Sequence, residues 1–348
     1  MSEPIVRRTG GRKTLRPLLQ ALSLCALLVA AAPLVQAQAP DEAAGYSVPS
    51  AKAVSSLLLD IVHAGKRLVA VGERGHILYS DNDGANWEQA KVPTRQMLTA
   101  VFFVDDKHGW AVGHDALVLA TTDGGVTWVK QFEDLQREAP LLDLWFTDLQ
   151  HGFAIGAYGA LLETTDGGST WEDVSDRLDN EDAYHLNAIT EVKDTGLFVV
   201  GEMGSLFRST DNGETWETLE GPYQGSLFGV LATGEPQSLL VYGLRGHLFR
   251  SADGGDSWQQ VQLNTASGGT LEFGLANAAL LDDGSIVVVG HGGSVLRSSD
   301  HGRSFSVFNR PDRVSLAAVT AAADGTLILV GQGGVRLTSS TGANPGQQ

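Results

Sequence analysis

The chain has 348 residues and a formal net charge of −17 at pH 7, from 41 acidic and 24 basic residues. Such an acidic chain repels phosphate groups, which argues against nucleic acid as a partner and allows at most a peripheral contact with a membrane surface. Cys25 is the sole cysteine. The chain beyond it therefore has no disulfide, no thiolate nucleophile and no Cys-ligated zinc.

The N-terminus has the features of an export signal. Residues 1–17 contain five basic residues and one acid. An apolar stretch follows from Leu18 to Val35 and ends in small residues. This pattern predicts a signal peptide over residues 1–37, with cleavage after Ala37 or Ala39. An uncleaved membrane anchor is the alternative, although the apolar stretch is short for a span. We expect an exported protein of the bacterial periplasm.

An eight-residue box, Ser/Thr-x-Asp/Asn-x-Gly-x-Ser/Thr-Trp, follows in six copies, the last ending in Phe. The copies begin at Ser80, Thr121, Thr164, Ser209, Ser251 and Ser298. Between them lie short β-rich runs separated by Gly and Asp turns, without helical periodicity. A repeat of forty-odd residues with this content is typical of a β-propeller with one blade per repeat.

A glycine that ends the second strand of each repeat gives an independent blade count. It occurs at Gly72, Gly113, Gly156, Gly201, Gly243, Gly290 and Gly331. The sequence therefore predicts an all-β fold, a seven-bladed propeller of four-stranded blades over residues 54–342, with a flexible tail over 343–348. The seventh repeat lacks a fourth strand, and open strand edges favour aggregation. We expect the N-terminal segment 38–53, and within it 45–53, to supply the closing strand.

The box itself is predicted to be architectural. Its Asp accepts backbone N–H groups in a tight turn, its Gly adopts a conformation that a β-carbon disfavours, and its aromatic residue packs between adjacent blades. The structural box residues are Asp123, Trp128, Asp166, Trp171, Asp211, Trp216, Asp253 and Trp258, and Trp87 and Phe305 hold the aromatic position in the two looser copies.

Function is expected on the opposite face, where the turns between second and third strands meet the connections between blades. The candidate partner-binding residues in these turns are Glu73, Arg74, His114, Asp115, Tyr158, Glu202, Arg245 and His291. For each of them, a solvated loop tip is the alternative. His114 and His291 come from separate repeats without local ligand spacing, so we expect no metal site. His108 and His151 occupy equivalent turn positions, which indicates a structural role.

A second candidate surface is a row of arginines just before the box. Arg208, Arg250 and Arg297 hold this position in blades four to six, and Arg336 lies one position earlier in blade seven. The row either forms salt bridges along the blade edges or is a docking stripe for an acidic segment of a partner.

The joined unit HGWAVGHDALVLATTDGGVTW from His108, repeated as HGFAIGAYGALLETTDGGSTW from His151, resembles the photosystem II stability/assembly factor family of Asp-box propellers. The resemblance covers about residues 54–340. It implies seven blades, a periplasmic or lumenal location, no catalysis or cofactor, and binding to assembly intermediates of membrane proteins. It also implies an arginine patch, for which Arg208, Arg250, Arg297 and Arg245 are candidates. We therefore expect a scaffold, monomeric alone, that binds an envelope membrane protein or complex of a photosystem-like or transporter type.

The enzymatic alternative is a sialidase or another glycoside hydrolase, because propellers of that class carry the same boxes. Their Arg-Ile-Pro motif does not occur in this sequence. Glu73, Asp115 and Glu202 could supply carboxylates, but a glycosidase needs two of them about 5–10 Å apart. The sequence does not decide that spacing.

Overall fold

The structure, a computed structural model, describes residues 45–266 and 268–344. These residues form seven antiparallel sheets in which the strands lie side by side in chain order. The first strands of the seven sheets contact one another in a closed ring, so each sheet is one blade of a propeller. Six blades have four strands and the seventh has three. The predicted all-β, seven-bladed propeller is therefore confirmed.

The strands are numbered in chain order. Blade one contains β1 (Leu58–Ala64), β2 (Arg67–Gly72), β3 (Ile77–Ser80) and β4 (Glu88–Gln89). Blade two contains β5 (Leu98–Phe103), β6 (Gly109–Gly113), β7 (Leu117–Thr121) and β8 (Val129–Phe132). Blade three contains β9 (Leu141–Phe146), β10 (Gly152–Gly156), β11 (Leu161–Thr164) and β12 (Glu172–Asp173). Blade four contains β13 (Leu186–Val192), β14 (Gly196–Gly201), β15 (Leu206–Ser209) and β16 (Glu217–Thr218).

The remaining blades continue this order. Blade five contains β17 (Leu227–Ala232), β18 (Leu239–Gly243), β19 (Leu248–Ser251) and β20 (Gln259–Gln260). Blade six contains β21 (Leu275–Leu280), β22 (Ile286–Gly290), β23 (Ser294–Ser298) and β24 (Ser306–Asn309). Blade seven contains β25 (Leu316–Ala321), β26 (Leu327–Gly331) and β27 (Arg336–Thr338).

Short 3-10 turns join the second and third strands in blades one to six. They span Glu73–Gly75, His114–Ala116, Ala157–Gly159, Glu202–Gly204, Leu244–Gly246 and His291–Gly293. Two further 3-10 turns, Ala53–Ser55 and Ser175–Arg177, lie in the connections before blade one and after blade three.

The core consists of seven apolar clusters, each between two adjacent blades. The second strands are buried at nearly every position, as in β6 and β22. A strand covered on both faces favours an unbroken apolar run, which explains sequences such as Ile286-Val-Val-Val289.

The predicted closure of blade seven by an N-terminal strand is not shown by the structure, and residues 38–44 of the predicted segment lie outside the described residues. Residues 45–53 contain no strand. The N–H of Ser47 donates to the carbonyl of Val92 at 2.9 Å, and the amide of Gln89 donates to the carbonyl of Val48 at 3.1 Å. The polar backbone of this segment thus finds its partners along the outer edge of blade one, and blade seven has three strands in the described part of the chain.

The ring is closed by side-chain packing between blades seven and one. Leu58 and Ile61 from β1 share one buried cluster with Ala318 and Ile328 from blade seven. A single backbone bond supports this junction, from the N–H of Val335 to the carbonyl of Val54 at 3.0 Å. Burial of apolar side chains therefore closes the ring at this junction, where the sequence predicted strand pairing.

Both chain ends extend past the described residues. The predicted signal peptide and its cleavage sites at Ala37 and Ala39 lie outside them. At the other end, Ala343 is buried, and the side chain of Asn344 accepts a hydrogen bond from Arg310 at 2.7 Å. Across residues 45–266 and 268–344, we find no helix of sufficient length and apolarity to cross a membrane.

Candidate partner-binding surfaces

The box forms a compact hydrogen-bonded turn between the third and fourth strands. In blade two, Asp123 accepts bonds from the hydroxyls of Thr121 at 2.8 Å and Thr127 at 2.6 Å, and from the N–H of Thr127 at 2.9 Å. The equivalent carboxylates Asp166, Asp211 and Asp253 accept the same set of bonds. Bonds from Thr215 lower the pKa of Asp211 to about 2. Each of these carboxylates therefore holds its own turn together through hydrogen bonds within the box.

The box aromatics lie between blades. Trp128 packs among residues of blades one and two, Trp171 between two and three, Trp216 between three and four, and Trp258 between four and five. Trp87 lies at the junction of blades seven and one, and Phe305 between five and six. Because each belongs to a different cluster, these rings do not converge on one ligand.

The arginine row lies on the box side of the propeller, away from the turns between second and third strands. The side chains of Arg208, Arg250 and Arg297 reach the next blade. Arg208 donates to the carbonyl of Gly254 at 2.8 Å, and Arg250 donates to that of His301 at 3.0 Å. Arg297 donates to the carbonyl of Ser340 at 2.7 Å.

Carboxylates of the chain itself neutralise these arginines. Arg208 is paired with Glu217 and Asp256, Arg250 with Glu235, and Arg297 with Asp283, all at 2.7–2.9 Å. Arg336 lies 3.5 Å from Asp312. All four side chains are largely buried. The geometry thus accounts for the row as a set of junctions between blades, and a docking role for it stays a prediction.

The turns between second and third strands present a ring of equivalent positions on the other face. The middle residue of the turn has a left-handed backbone in blades one to five, at Arg74, Asp115, Tyr158, Met203 and Arg245, with φ between 53° and 60°. Gly292 and Gly333 occupy the position in blades six and seven, with φ of 63° and 82°. An L-residue is strained in this conformation by about 1–2 kcal/mol, so five blades keep a side chain where glycine would fit better.

The other predicted turn residues are divided between exposed and bonded groups. His114, Arg245 and His291 are exposed. The carboxylate of Glu73 accepts the N–H of Leu57 at 3.3 Å, and that of Glu202 accepts the N–H of His185 at 3.2 Å.

Asp115 accepts a bond from the side chain of Gln96. The candidates therefore share a face but form no single cluster, since each belongs to the turn of its own blade. Sequence reasoning missed Met203, Leu244 and Phe273, which are exposed on the same face. For Met203 and Leu244, an apolar residue in a short turn between two strands was the available signal.

An axial cavity of about 320 Å³ is lined by the first strands and contains two half-buried carboxyl groups, Asp60 and Asp143. The oxygens of Asp60 accept the N–H of Ile61 at 2.8 Å and of Val101 at 2.9 Å in blade two. Burial, opposed by these bonds, raises the pKa of Asp60 to about 6.

Asp143 repeats this arrangement between blades three and four. Its oxygens accept the N–H of Leu144 at 2.8 Å and of Ile189 at 2.9 Å, and burial raises its pKa to about 7. Both carboxyl groups thus link neighbouring inner strands. The repeated sequence Leu-Leu-Asp, from Leu58 and from Leu141, could have revealed them. Within the part of the chain that the structure describes, no three His, Cys, Asp or Glu side chains converge as metal ligands would.

Comparison with known proteins identifies similar chains. The family model described as "Photosynthesis system II assembly factor YCF48" matches residues 79–140 and 129–272, which together are more than half of the chain. The curated "Photosystem II stability/assembly factor HCF136, chloroplastic" of Cyanidioschyzon merolae is 48% identical over 61 residues. That stretch covers 17% of this chain and 14% of the relative.

Solved structures show the shared fold at lower sequence identity. "YCF48 from Cyanidioschyzon merolae" has a TM-score of 0.64 at 17% identity, covering 84% of this chain and 98% of that one. "YCF48 bound to D1 peptide" has a TM-score of 0.63 at 18% identity, covering 82% of this chain and 91% of that one.

Proposed function

Because this chain belongs to the photosynthesis system II assembly factor YCF48 family, we propose that it is a non-enzymatic scaffold that binds a membrane protein and assists the assembly of its complex. The observation that carries the proposal is the ring of turn residues from Arg74 to Arg245. Five blades hold a residue other than glycine in a left-handed conformation at the same position, facing solvent or partly so. Strain of this kind tends to persist where side chains have a function.

The proposed partner is a short segment of an envelope membrane protein. A protein of the same family and fold has been solved with a bound D1 peptide, which supports peptide recognition by such a propeller. The acidic composition and the predicted signal peptide favour a host complex of the bacterial envelope, photosystem-like or transporter-type. The scaffold would act in the periplasm, or on the lumenal side in a photosynthetic host, as a peripheral monomer.

The glycoside hydrolase alternative has less support. Asp60 and Asp143 lie in an axial cavity that also contains Phe102 and Trp145, which is the setting a glycosidase would need. Both oxygens of each carboxyl group, however, accept backbone N–H groups. These bonds tie each carboxyl group to a pair of neighbouring strands, which favours a structural role over that of a general acid or nucleophile directed at a substrate.

The proposal is tested by crosslinking a tagged, exported chain in intact cells and identifying the retained proteins by mass spectrometry. We expect enrichment of one integral membrane protein or complex over an exported control protein of matched charge. Retention of no membrane protein above that control would contradict the scaffold function. Recovery of glycan fragments instead would favour the hydrolase.

A further inference from the structure

We propose that the turn face of blades three to six binds an extended partner segment that carries both apolar and basic side chains. This inference rests on the proposed scaffold function and names the chemistry of its partner. The binding surface, here called the apolar arc, consists of Tyr158, Met203, Leu244 and Phe273.

Each member of the apolar arc is exposed. The exposed fractions are 67% for Tyr158, 59% for Met203, 38% for Leu244 and 42% for Phe273. Tyr158, Met203 and Leu244 belong to the turns of three consecutive blades, and Phe273 immediately precedes blade six. Single exposed apolar residues are ordinary on protein surfaces, but one in or beside the turn of each of four consecutive blades, all on one face, suggests an interaction site.

Other side chains lie between the members of the arc and connect neighbouring turns. From blade three to blade four, the ring of Tyr158 lies 5.0 Å from that of His185, and His185 lies 3.8 Å from the carboxylate of Glu202, the residue before Met203.

The contacts continue from blade four to blade six. The ring of Tyr223 stacks on that of His247 at 4.2 Å, beside the turn that contains Leu244. Beyond it, Phe273 covers the backbone of Gly292, where a β-carbon would lie 2.9 Å from the phenyl ring. Blade six thus has an aromatic ring over its turn although its own turn residue is glycine.

The surroundings of the arc are acidic on balance, with Arg245, exposed in the same turn as Leu244, as a basic exception. The connections that follow blades three, four and five contain six acids and one base: Asp176, Asp179, Glu181, Asp182, Glu220, Glu272 and Arg177. The guanidinium of Arg177 is bonded to Glu163 at 2.9 Å. Met203 and the acids Asp179, Glu181 and Asp182 line one shallow groove of about 380 Å³. An occupant of this groove meets apolar surface beside negative charge.

Exposed apolar side chains beside acidic groups favour a partner segment that carries both apolar and basic side chains. Apolar anchors supply contact area, while complementary charge steers association and discriminates against acidic segments and anionic lipid. Because the anchors recur once per blade, an extended chain with spaced apolar residues would meet several of them in turn. Basic residues between those anchors would face the acids of the connections.

The test uses a fluorescent synthetic peptide of alternating lysine and leucine, added to the purified protein at low ionic strength. Fluorescence anisotropy measures binding. Matched peptides replace every lysine by glutamate or every leucine by serine. We expect the lysine–leucine peptide to bind at least about tenfold more tightly than either matched peptide.

The variants exploit the glycines found at the equivalent turn position in blades six and seven. Tyr158→Gly combined with Met203→Gly removes two anchors while relieving the left-handed backbone, so the fold is retained. We expect this double variant to bind the peptide at least about tenfold more weakly. Asp179→Asn with Glu181→Gln should weaken binding and its dependence on salt. Leu149→Ser, which removes an exposed leucine from the box side, is the matched control and should bind normally.

Failure to bind the lysine–leucine peptide overturns the inference, as does unchanged binding by the double glycine variant. Equal binding of the glutamate peptide overturns the assignment of charge. Sedimentation of the protein alone that reveals a dimer lost in the double variant would show that a second copy occupies the arc instead.

These failures are distinguishable from failure of the scaffold function. If crosslinking in cells retains the same membrane protein with the wild type and with the double glycine variant, the scaffold stands and the apolar arc is not its docking surface. If the wild type retains no membrane protein, the scaffold function itself fails.

Discussion

The guanidinium of Arg208 in blade four donates a hydrogen bond to the carbonyl of Gly254 in the box of blade five at 2.8 Å. Arg250 and Arg297 make equivalent contacts to the next blade. Arg67 and Arg177 donate to carbonyls in the boxes of blade two and blade four. The box is therefore more than a local turn, because its backbone carbonyl accepts a side chain of the preceding blade.

Replacing Arg208 by glutamine should destabilise the propeller without changing its architecture. The variant loses a charge-assisted bond to Gly254, for an expected cost of about 1–2 kcal/mol in the free energy of unfolding. Chemical denaturation followed by intrinsic fluorescence measures this. Arg245→Gln, an exposed arginine without an ion pair among the described residues, is the control. Equal stability of both variants would contradict the junction role.

Truncation of a box tryptophan should have a larger effect. Trp128 is buried between blades one and two, and its indole N–H donates to the carbonyl of Gly125 at 3.0 Å. We expect Trp128→Ala to lower the free energy of unfolding by about 3–5 kcal/mol through the cavity it leaves. Trp128→Phe, which copies Phe305 of the sixth box, should cost clearly less. Thermal unfolding that is unchanged in the alanine variant would refute the packing role.

The turn position of Met203 should prefer glycine to any β-branched residue. Its φ of 53° is unfavourable for an L-residue. Met203→Gly should leave stability unchanged or raise it by up to about 1 kcal/mol, whereas Met203→Val should lower it by about 1–2 kcal/mol. The melting temperatures of the two variants, compared with that of the wild type, test this prediction. A stabilising valine would show that the backbone is not left-handed.

Stability should fall as pH rises from about 4 to about 7 because of the axial acids. Burial raises the pKa of Asp60 to about 6 and that of Asp143 to about 7, above the unfolded value of about 3.9. The folded protein therefore binds more protons than the unfolded chain in this pH window. The free energy of unfolding falls as these protons dissociate. Asp143→Asn should flatten the dependence of the unfolding free energy on pH, whatever its effect on the absolute value.

Asp179→Asn controls for the loss of one negative charge, since it lies on an exposed connection. An unchanged slope in Asp143→Asn would contradict the assignment.

The box acids change stability with pH in the opposite direction. The pKa of Asp211 is lowered to about 2, so its contribution is present above about pH 4 and is lost as pH falls towards 2.

The sequence predicted the features that recur in every blade. The box and the glycine that ends each second strand gave the fold and the number of blades, because a propeller repeats one packing problem seven times. The predicted closing strand is not found in residues 45–53, which carry no apolar alternation. Their pairing depends on the polar groups they meet, such as the amide of Gln89 on blade one.

The functional surfaces were less predictable because they depend on contacts between repeats. The arginines before the box were visible as a row, but their partners, such as Asp256 and Asp283, come from other turns and blades. The position of Phe273 could not be foreseen, since its ring lies over Gly292 in the turn of the next blade, a contact between residues that no repeat signal connects.

The most direct test of the account is photocrosslinking in living cells from single positions on the two faces. A photoreactive amino acid would replace Met203 on the turn face, or Leu149 on the box side, in otherwise wild-type chains. If the scaffold docks through its turn face, the photoreactive residue at Met203, but not the one at Leu149, will form a covalent adduct with one integral membrane protein. Adducts of equal yield from both positions, or none from Met203, would contradict a scaffold that docks through its turn face.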